Sequence, residues 1–348
     1  MMGKDKLFGK TLEELKTVVS DLGLPSFTAK QIADWLYHKE ISSIEEMSNL
    51  SKHARSLLSE KYDFGLIPHS NVQESIDGTK KYLFPTDSGK FIESAYIPEE
   101  DRATLCVSSQ VGCKMGCLFC MTGKQGFNGQ LTPGEILNQI RSLPERNRLS
   151  NIVYMGMGEP FDNPDSVMKS LEILTSDYGF GMSPRRITVS TIGIIPSMLR
   201  FLNDSECHLA ISLHSPFDEE RRKLMPIQQT YPIQQVISAL KDFDFSHQRR
   251  VSFEYIMFKG INDSPVHVKE LCRLLNGIKC RINLIRFHAI PDTPLEGSSL
   301  KVMESFRDHL NDKGIITTIR KSRGQDIFAA CGMLSTKKLL QKENGTDL

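Results

Sequence analysis

The sequence predicts an α/β protein, a full or partial α/β barrel preceded by a small helical domain. Two observations support this fold. After residue 100 a strand, a loop and a helix recur about every 30 to 40 residues, which is typical of βαβ units around a parallel sheet. Before residue 95 the pattern differs, because apolar residues there recur three and four positions apart. We therefore predict two domains, residues 1–95 and residues 96–348.

The first of these domains is predicted to be helical. Residues 11–62 space Leu, Val, Ile and Trp as amphipathic helices do, with a break at "GLPSF". Two alternating segments follow, "TKKYLFPT" at 79–86 and "KFIESAYIP" at 90–98, and they predict a small hairpin that leads into the second domain.

The second domain contains seven candidate strands. They are "ATLCVSS", "NIVYMG", "RITVST", "HLAISLH", "RVSFEYIMF", "RINLIRF" and "IITTIR". Helical segments lie between them, such as "PGEILNQIRSL", "PDSVMKSLEILTSD", "PIQQVISALKDF", "VHVKELCRLLNG" and "KVMESFRDHLNDKG". Polar residues cluster after the strands, at the end where α/β folds place their sites.

The composition limits the class of protein. Hydrophobic residues make up 39% of the 348 residues and charged residues 24%, with a formal net charge of +1, so overall charge does not indicate a nucleic-acid partner. We expect a cytoplasmic protein without a secretory signal or a membrane span. In that compartment its eight cysteines are expected to be metal ligands, catalytic groups or buried thiols.

Three cysteines lie within one loop, "GCKMGCLFCM", at positions 113, 117 and 120. Structural zinc would need a fourth ligand from elsewhere in the fold. An iron–sulfur cluster held by four cysteines would be a closed electron-transfer centre, whereas three cysteines leave one iron free to bind a substrate. The spacing alone leaves zinc and iron–sulfur both open.

The polar segments after the strands are weaker signals. "GMGEP" at 156–160 could be a turn whose carboxylate caps a helix. Ser190 in "VSTIG", and Ser212, Leu213 and His214 in "SLHSP", could be ordinary residues at strand ends. Because they follow successive strands, they could also face one ligand from a common rim.

The cysteine loop, with an aromatic residue beside its last cysteine, resembles that of radical S-adenosylmethionine enzymes. The resemblance implies a partial (β/α)6 barrel and one [4Fe-4S] cluster, with S-adenosylmethionine on the fourth iron. Cys113, Cys117 and Cys120 would bind the cluster. Gly158 and Glu159 would hold the amino group of the methionine. The other implied cofactor contacts are Ser190, Ser212, Leu213, His214 and His288.

His288, in "NLIRFHAI", departs from the family pattern, which has Asn at this position. Either side chain can donate a hydrogen bond to the cofactor.

Two further segments resemble one particular group within this family. "TIRKSRGQDIFAACGM" at 318–333 and "DRATLCVSSQVGC" at 101–113 resemble the RlmN and Cfr group of radical methyltransferases, which methylate ring carbons of adenine in RNA. The resemblance covers nearly the whole chain and implies that residues 1–95 help bind RNA. It also implies that Cys331 accepts a methyl group from one S-adenosylmethionine, and that a second one yields a radical which removes a hydrogen from that methyl.

The remaining implied steps resolve an RNA–protein adduct. Cys106 forms a transient disulfide with Cys331, and Glu93 removes the ring proton. From the residues alone, Glu93 would be a solvated surface acid and Cys106 a buried inert thiol. Cys207, Cys272 and Cys280 are expected to pack in the interior.

The substrate follows from the same resemblance. Pro160 and the "RKSRG" run resemble the branch that methylates carbon 2, whereas the other branch methylates carbon 8 and gives antibiotic resistance. The implied targets are an adenine of the peptidyl-transferase region of 23S rRNA and an adenine beside the tRNA anticodon. A flavodoxin or ferredoxin is the implied reductant, and we expect a monomer. Basic groups in "SPRRI", "EERRKLMP", "HQRRVS" and "IRKSRG" are candidate phosphate contacts.

Two alternatives of other classes remain open. One is a zinc-stabilised RNA-binding module, which would have no turnover. The other is a radical S-adenosylmethionine enzyme acting on a small molecule, which would not need Cys106 and Cys331 as a pair.

Overall fold

The structure is a computed structural model that describes residues 4–245 and 251–336. Its strands are Asp5–Lys6 (β1), Tyr62–Asp63 (β2), Asn71–Glu74 (β3), Lys80–Pro85 (β4), Phe91–Pro98 (β5), Ala103–Cys106 (β6), Gln110–Gly112 (β7), Phe127–Gln130 (β8), Asn151–Tyr154 (β9), Ile187–Thr191 (β10), His208–Ser212 (β11), Val251–Met257 (β12), Cys280–Arg286 (β13) and Ile316–Ile319 (β14).

The helices within the described residues are Leu12–Asp21 (α1), Thr28–Tyr37 (α2), Lys52–Lys61 (α3), Met121–Gln125 (α4), Pro133–Arg141 (α5), Pro164–Thr175 (α6), Ile195–Asp204 (α7), Asp218–Leu224 (α8), Ile233–Lys241 (α9), Pro265–Leu274 (α10) and Leu300–Asp312 (α11). Short 3₁₀ turns lie at Ile44–Glu46, Arg146–Arg148, Pro160–Asp162, Pro184–Arg186 and Pro226–Gln229. Over this part of the chain no helix is long and apolar enough to cross a membrane.

The N-terminal region forms the predicted short helices. A capping box between Thr11 and Glu14 begins α1, and its inward side chains include Leu15 and Val18. The helix α2 buries Ile32 among other side chains. These apolar residues belong to the same continuous core as the main sheet, so the helices pack directly on it.

The predicted hairpin is confirmed as β4 and β5, which pair antiparallel, and β3 adds a further strand at its edge. The hairpin is not separate from the main sheet, because β5 also pairs antiparallel with β6. The predicted domain boundary at residue 95 falls inside β5.

All seven predicted strands of the main sheet are present, and the chain connects them in spatial order. The sheet reads β14-β13-β12-β11-β10-β9-β6-β5-β4-β3. From β6 to β14 every neighbouring pair is parallel, so the carboxyl ends of these strands lie at one rim. The five predicted helices correspond to α5, α6, α9, α10 and α11, with α7 an additional helix between β10 and β11.

The sheet is open, since β14 and β3 are its two edges and do not pair with each other. The segment after β14 crosses this open side. Gly324 N donates to Asp77 Oδ2 at 3.0 Å, and Ser75 Oγ donates to Asp326 Oδ1 at 2.5 Å, in the turn between β3 and β4. The fold is therefore a partial barrel, which residues 320–336 cover on one side.

Two glycines allow the N-terminal region to pack against this barrel. Gly9 has φ of +94°, and a Cβ there would lie 2.4 Å from Gly134 N at the start of α5. A Cβ on Gly134 would lie 2.7 Å from the carbonyl oxygen of Phe8. Backbone atoms on both sides would have to move to accept any larger side chain.

We predict that Gly9→Ala lowers the free energy of unfolding by about 3 kcal/mol, because it combines a left-handed backbone with a backbone clash. Gly89→Ala is the matched control, since Gly89 has φ of +74° with nothing within 4 Å of a Cβ. The control should lose only about 1 kcal/mol. Urea unfolding followed by circular dichroism measures both, and equal losses would contradict the role given to the close approach.

Candidate active site

A cavity of about 630 Å³ lies on the inner face of the partial barrel. Eleven of the thirteen candidate site residues line it, from β6, the cysteine loop, the ends of four further strands and the C-terminal segment. They are Cys106, Cys113, Cys117, Cys120, Gly158, Glu159, Ser190, Ser212, His214, His288 and Cys331. Leu213 and Glu93 do not line it, and both are buried.

The cysteine loop is held between two other parts of the site. Leu118 N donates to Leu224 O at 3.0 Å, at the end of α8. Met121 N donates to Gly332 O at 2.7 Å, one residue after Cys331. The three-cysteine loop and the C-terminal segment are thus directly hydrogen-bonded.

Cys113 and Cys117 are protonated at neutral pH in the absence of a metal. Burial raises the pKa of Cys113 to about 12 and also raises the pKa of Cys117. Metal binding requires thiolates, so binding would release these protons.

The donor set fits an iron–sulfur cluster. Thiolate sulfur is the usual ligand of a four-iron cluster, and all three cysteines of the loop line the cavity. Cys113, Cys117 and Cys120 would hold the cluster, beside the open space of the cavity.

Gly158 and Glu159 occupy a crowded strand end. Gly158 has φ of +96°, and a Cβ there would lie 2.5 Å from the Gln110 side chain, so only glycine fits. Glu159 Oε1 accepts from Thr191 Oγ1 at 2.6 Å, and Oε2 accepts from Ile192 N at 3.0 Å. Burial raises the pKa of Glu159 to about 7, although these hydrogen bonds lower it.

The next strand ends are also polar. Ser190 and Ser212 line the cavity from β10 and β11. His214, with φ of +55°, accepts a hydrogen bond at Nδ1 from Ile256 N at 3.0 Å. Burial lowers the pKa of His214 to about 3, so the imidazole is neutral at pH 7 and its Nε2 carries the proton.

His288 also faces the cavity, and it forms a hydrogen bond between Nε2 and Ser322 Oγ at 2.8 Å. Burial lowers its pKa, and the charge of Arg286 lowers it further. A neutral imidazole can donate one hydrogen bond to the cofactor, and so can the asparagine that the family pattern has at this position.

Cys106 and Cys331 face each other from β6 and from the C-terminal segment. Burial raises the pKa of Cys106 to about 12, and the neighbouring Cys331 thiol adds to this rise. Cys331 is exposed to the cavity although protein groups surround it, and all eight cysteines are free thiols. Burial raises the pKa of Cys331 as well, whereas the Arg320 guanidinium lowers it.

Arg320 is the first basic residue of "IRKSRG", whose basic groups the sequence suggests as phosphate contacts. It follows β14, and its Nη1 lies 3.5 Å from Glu254 Oε2 on β12. This ion pair lies beside both thiols, and the sequence gives no signal for it because the partners are 66 positions apart.

Glu93 is buried, in contrast to the solvated position that the residues alone suggested. Its Oε1 lies 3.1 Å from Lys81 Nζ on the neighbouring strand, and its Oε2 accepts from Ser335 N at 2.9 Å. Burial raises the pKa of Glu93, and Lys81 lowers it. The C-terminal segment therefore joins Glu93 and Cys331, although Glu93 lies outside the cavity wall.

The basic groups that the sequence suggests as phosphate contacts differ in their exposure to solvent. Arg185 and Arg186 are exposed, and Arg222 forms an ion pair with Glu219 at 3.1 Å. Arg221 has no exposed surface and cannot contact RNA. The "HQRR" of 247–250 and the tail from 337 lie outside the described residues.

The three remaining cysteines lie in the core or packed against it. Cys207 is buried just before β11, whereas Cys272 in α10 and Cys280 at the start of β13 are half-buried.

Comparisons with known proteins show the family of this chain. A model of the "Radical SAM superfamily" matches residues 107–272, and one of the "Ribosomal RNA large subunit methyltransferase N-terminal domain" matches residues 6–63. A protein of Parabacteroides distasonis described as "Probable dual-specificity RNA methyltransferase RlmN" is 61% identical over 97% of this chain and 98% of its own length.

Two further relatives are more distant. A "Dual-specificity RNA methyltransferase RlmN" of Syntrophus aciditrophicus is 43% identical over 98% of this chain and 99% of its own. The crystal structure of a radical SAM methyltransferase from Sphaerobacter thermophilus has a TM-score of 0.89 and 39% identity, covering 95% of this chain and 99% of that one. The chain therefore belongs to the RlmN family of radical S-adenosylmethionine dual-specificity RNA methyltransferases.

Proposed function

We propose that this enzyme methylates carbon 2 of an adenine in 23S rRNA and of an adenine beside the tRNA anticodon, through a methylated cysteine. The observation that carries the proposal is the pairing of Cys106 and Cys331 on one cavity that the cysteine loop also lines. A single reactive cysteine would suffice for methyl transfer to a nucleophilic atom. A second, resolving thiol is needed only when the RNA becomes bonded to the first.

Cys331 is the proposed methyl acceptor. As a thiolate it attacks the methyl carbon of one S-adenosylmethionine, forming an S–C bond while the sulfonium leaves as a neutral thioether. Arg320 lowers the pKa of Cys331 and so favours the thiolate. Exposure of Cys331 to the cavity leaves its sulfur accessible to a methyl donor bound there.

Cys113, Cys117 and Cys120 would hold a [4Fe-4S] cluster, which when bound would supply the electron for cleavage of a second S-adenosylmethionine to a carbon radical. Gly158 and Glu159 would bind the methionine amino group, since Glu159 is an acceptor buried at the cavity wall. Ser190, Ser212, Leu213, His214 and His288 would orient the remainder of the cofactor. Burial keeps His214 neutral, so it can donate one hydrogen bond without adding charge.

After hydrogen removal, the carbon on Cys331 bonds to the adenine ring. The unpaired electron left on the ring would return to the oxidised cluster, and Glu93 takes the ring proton. The Cys106 thiolate then attacks the sulfur of Cys331. The S–CH2 bond breaks with its electron pair on carbon, which takes a proton to become the methyl group, so the RNA is released and a Cys106–Cys331 disulfide remains. Ser335 links Glu93 to the segment that carries Cys331, so a small movement of this segment could bring acid and substrate together. We propose a flavodoxin or ferredoxin as the reductant, a monomeric enzyme, and an RNA-binding role for residues 1–95.

Membership of the RlmN family excludes the zinc-stabilised module and the small-molecule enzyme. Carbon 8 methylation is the remaining alternative. Liquid chromatography with mass spectrometry, applied to nucleosides from RNA treated with the purified enzyme, separates the two products, because 2-methyladenosine and 8-methyladenosine differ in retention. A product methylated at carbon 8 would overturn the carbon-2 proposal.

We predict that Cys331→Ala abolishes RNA methylation, whereas Cys106→Ala accumulates a covalent RNA–protein adduct, because the first lacks the acceptor and the second the resolving thiol. Denaturing gels with labelled RNA measure the adduct. Cys272→Ala is the matched control, since Cys272 is a half-buried thiol of α10 away from the cavity. Normal turnover of Cys106→Ala without adduct would refute the two-cysteine mechanism.

We predict that Lys81→Met moves the acidic limb of the RNA-methylation pH profile to higher pH. Burial already raises the pKa of Glu93 and Lys81 lowers it, so loss of Lys81 lets that pKa rise further. A base with a raised pKa is active only above that pKa, and activity is lost as the pH falls through it.

Lys80→Met serves as the control, because Lys80 Nζ instead contacts Glu145 at 2.9 Å. The profile is measured as kcat/KM against pH. An acidic limb that stays in place in Lys81→Met would show that Glu93 is not the proton acceptor.

A further inference from the structure

Arg221, in α8, is among the largest fully buried side chains within the described residues. Its Nε donates to Leu213 O at 3.1 Å, and its Nη1 to Gln228 Oε1 at 2.5 Å. Its Nη2 donates to Ile192 O at 2.8 Å and to Ser212 O at 3.1 Å. Every one of these acceptors is electrically neutral.

The guanidinium has no carboxylate within ion-pair distance in the part of the chain that the structure describes. Asp218, on the same helix, instead accepts from Gln228 Nε2 at 2.6 Å. Glu220 accepts from Ser215 Oγ at 2.6 Å. Burial lowers the pKa of Arg221 to about 10, which still leaves it charged at neutral pH. The charge of Asp218 raises the pKa of Arg221, but by less than burial lowers it, so the cost of burying this cation is only partly offset.

The cysteine loop lies beside this charge. Cys117 and Leu224, which lies three residues after Arg221 on α8, pack in the same buried cluster. The loop is also tied to the same helix, through the hydrogen bond from Leu118 N to Leu224 O. A cation held rigidly behind a buried thiol is a suitable counter-charge for a thiolate in that place.

A cluster bound by three thiolates would supply the missing anion. The three thiolates carry one more negative charge than the oxidised four-iron core carries positive charge, and reduction adds another. Because the reduced cluster is the more negative, a nearby buried cation stabilises it more than the oxidised cluster. Its reduction potential is then higher than it would be without the cation.

We propose that Arg221 is a positioning residue for the cluster: its buried charge raises the reduction potential, while its hydrogen bonds fix the ends of β10 and β11. The inference rests on the three-cysteine cluster of the proposed function. It assigns to Arg221, the first arginine of "RR", a role in electron transfer, and leaves Arg222 at the surface.

The test compares Arg221→Gln, Arg221→Lys and Arg222→Gln with the natural protein after anaerobic cluster reconstitution. Gln removes the charge and keeps an amide donor for the carbonyl oxygens, whereas Lys keeps the charge. Arg222→Gln is the matched control, since that neighbour is exposed and pairs with Glu219. We would measure the iron content, the thermal unfolding and the midpoint potential of each protein. Electron paramagnetic resonance in the absence of S-adenosylmethionine follows the reduced cluster and so gives the midpoint potential.

We expect a more negative midpoint potential in Arg221→Gln, a potential near that of the natural protein in Arg221→Lys, and no shift in Arg222→Gln. Equal potentials in the natural protein and Arg221→Gln, at full iron content, would overturn the inference while leaving the proposed function standing. Equal shifts in Arg221→Gln and Arg221→Lys would also overturn it, since hydrogen bonding would then be the cause. If Arg221→Gln takes up no cluster, the midpoint potential of Arg221→Lys decides the test. A potential equal to that of the natural protein supports the role of the charge, and a shifted potential contradicts it. A natural protein that binds no iron would overturn the proposed function together with this inference.

Discussion

The hydrogen bonds that hold the C-terminal segment across the open side of the sheet are the constraint on which the site depends. A seven-strand parallel sheet leaves β14 as an unpaired edge, and residues 320–336 turn from this edge toward the β3–β4 turn. Asp77 accepts a hydrogen bond from the backbone N–H of Gly324. Burial raises the pKa of Asp77, but its hydrogen bonds outweigh this effect and lower the pKa to about 2. Asp77 is therefore an ionised acceptor near neutral pH. Without this crossing, Cys331 would not face Cys106.

The same segment couples parts of the enzyme that act in different steps. Gly332 accepts from the cysteine loop through Met121 N, and Ser335 donates to Glu93. Cys331 therefore lies in a segment that contacts the cysteine loop on one side and Glu93 on the other. A displacement of this segment would change both contacts and the position of Cys331 together, because all three lie within residues 331–335.

Burial sets the electrostatics of the cavity. It raises the pKa of Cys106 and Glu159 and lowers that of His214, and in each case it favours the neutral form. Against this background the buried charge of Arg221 and the ion pair of Arg320 with Glu254 stand out, since each lies next to a thiol. At Cys117 and Cys331 the neighbouring cation opposes the rise in pKa that burial causes, without reversing it.

The sequence by itself determined the order of the strands, the helices between them and the cysteine loop, because these are local patterns of period, spacing and residue type. It also placed Cys331 and Cys106, through a family resemblance that the comparisons confirm for the fold and the enzyme class. Only the tertiary structure showed that Glu93 is buried against Lys81, that Arg320 meets Glu254, and that Arg221 is interior while Arg222 is not. The first two contacts join residues that are distant along the chain. The two arginines are adjacent in the sequence but lie on different faces of α8. No local sequence pattern carries either kind of information.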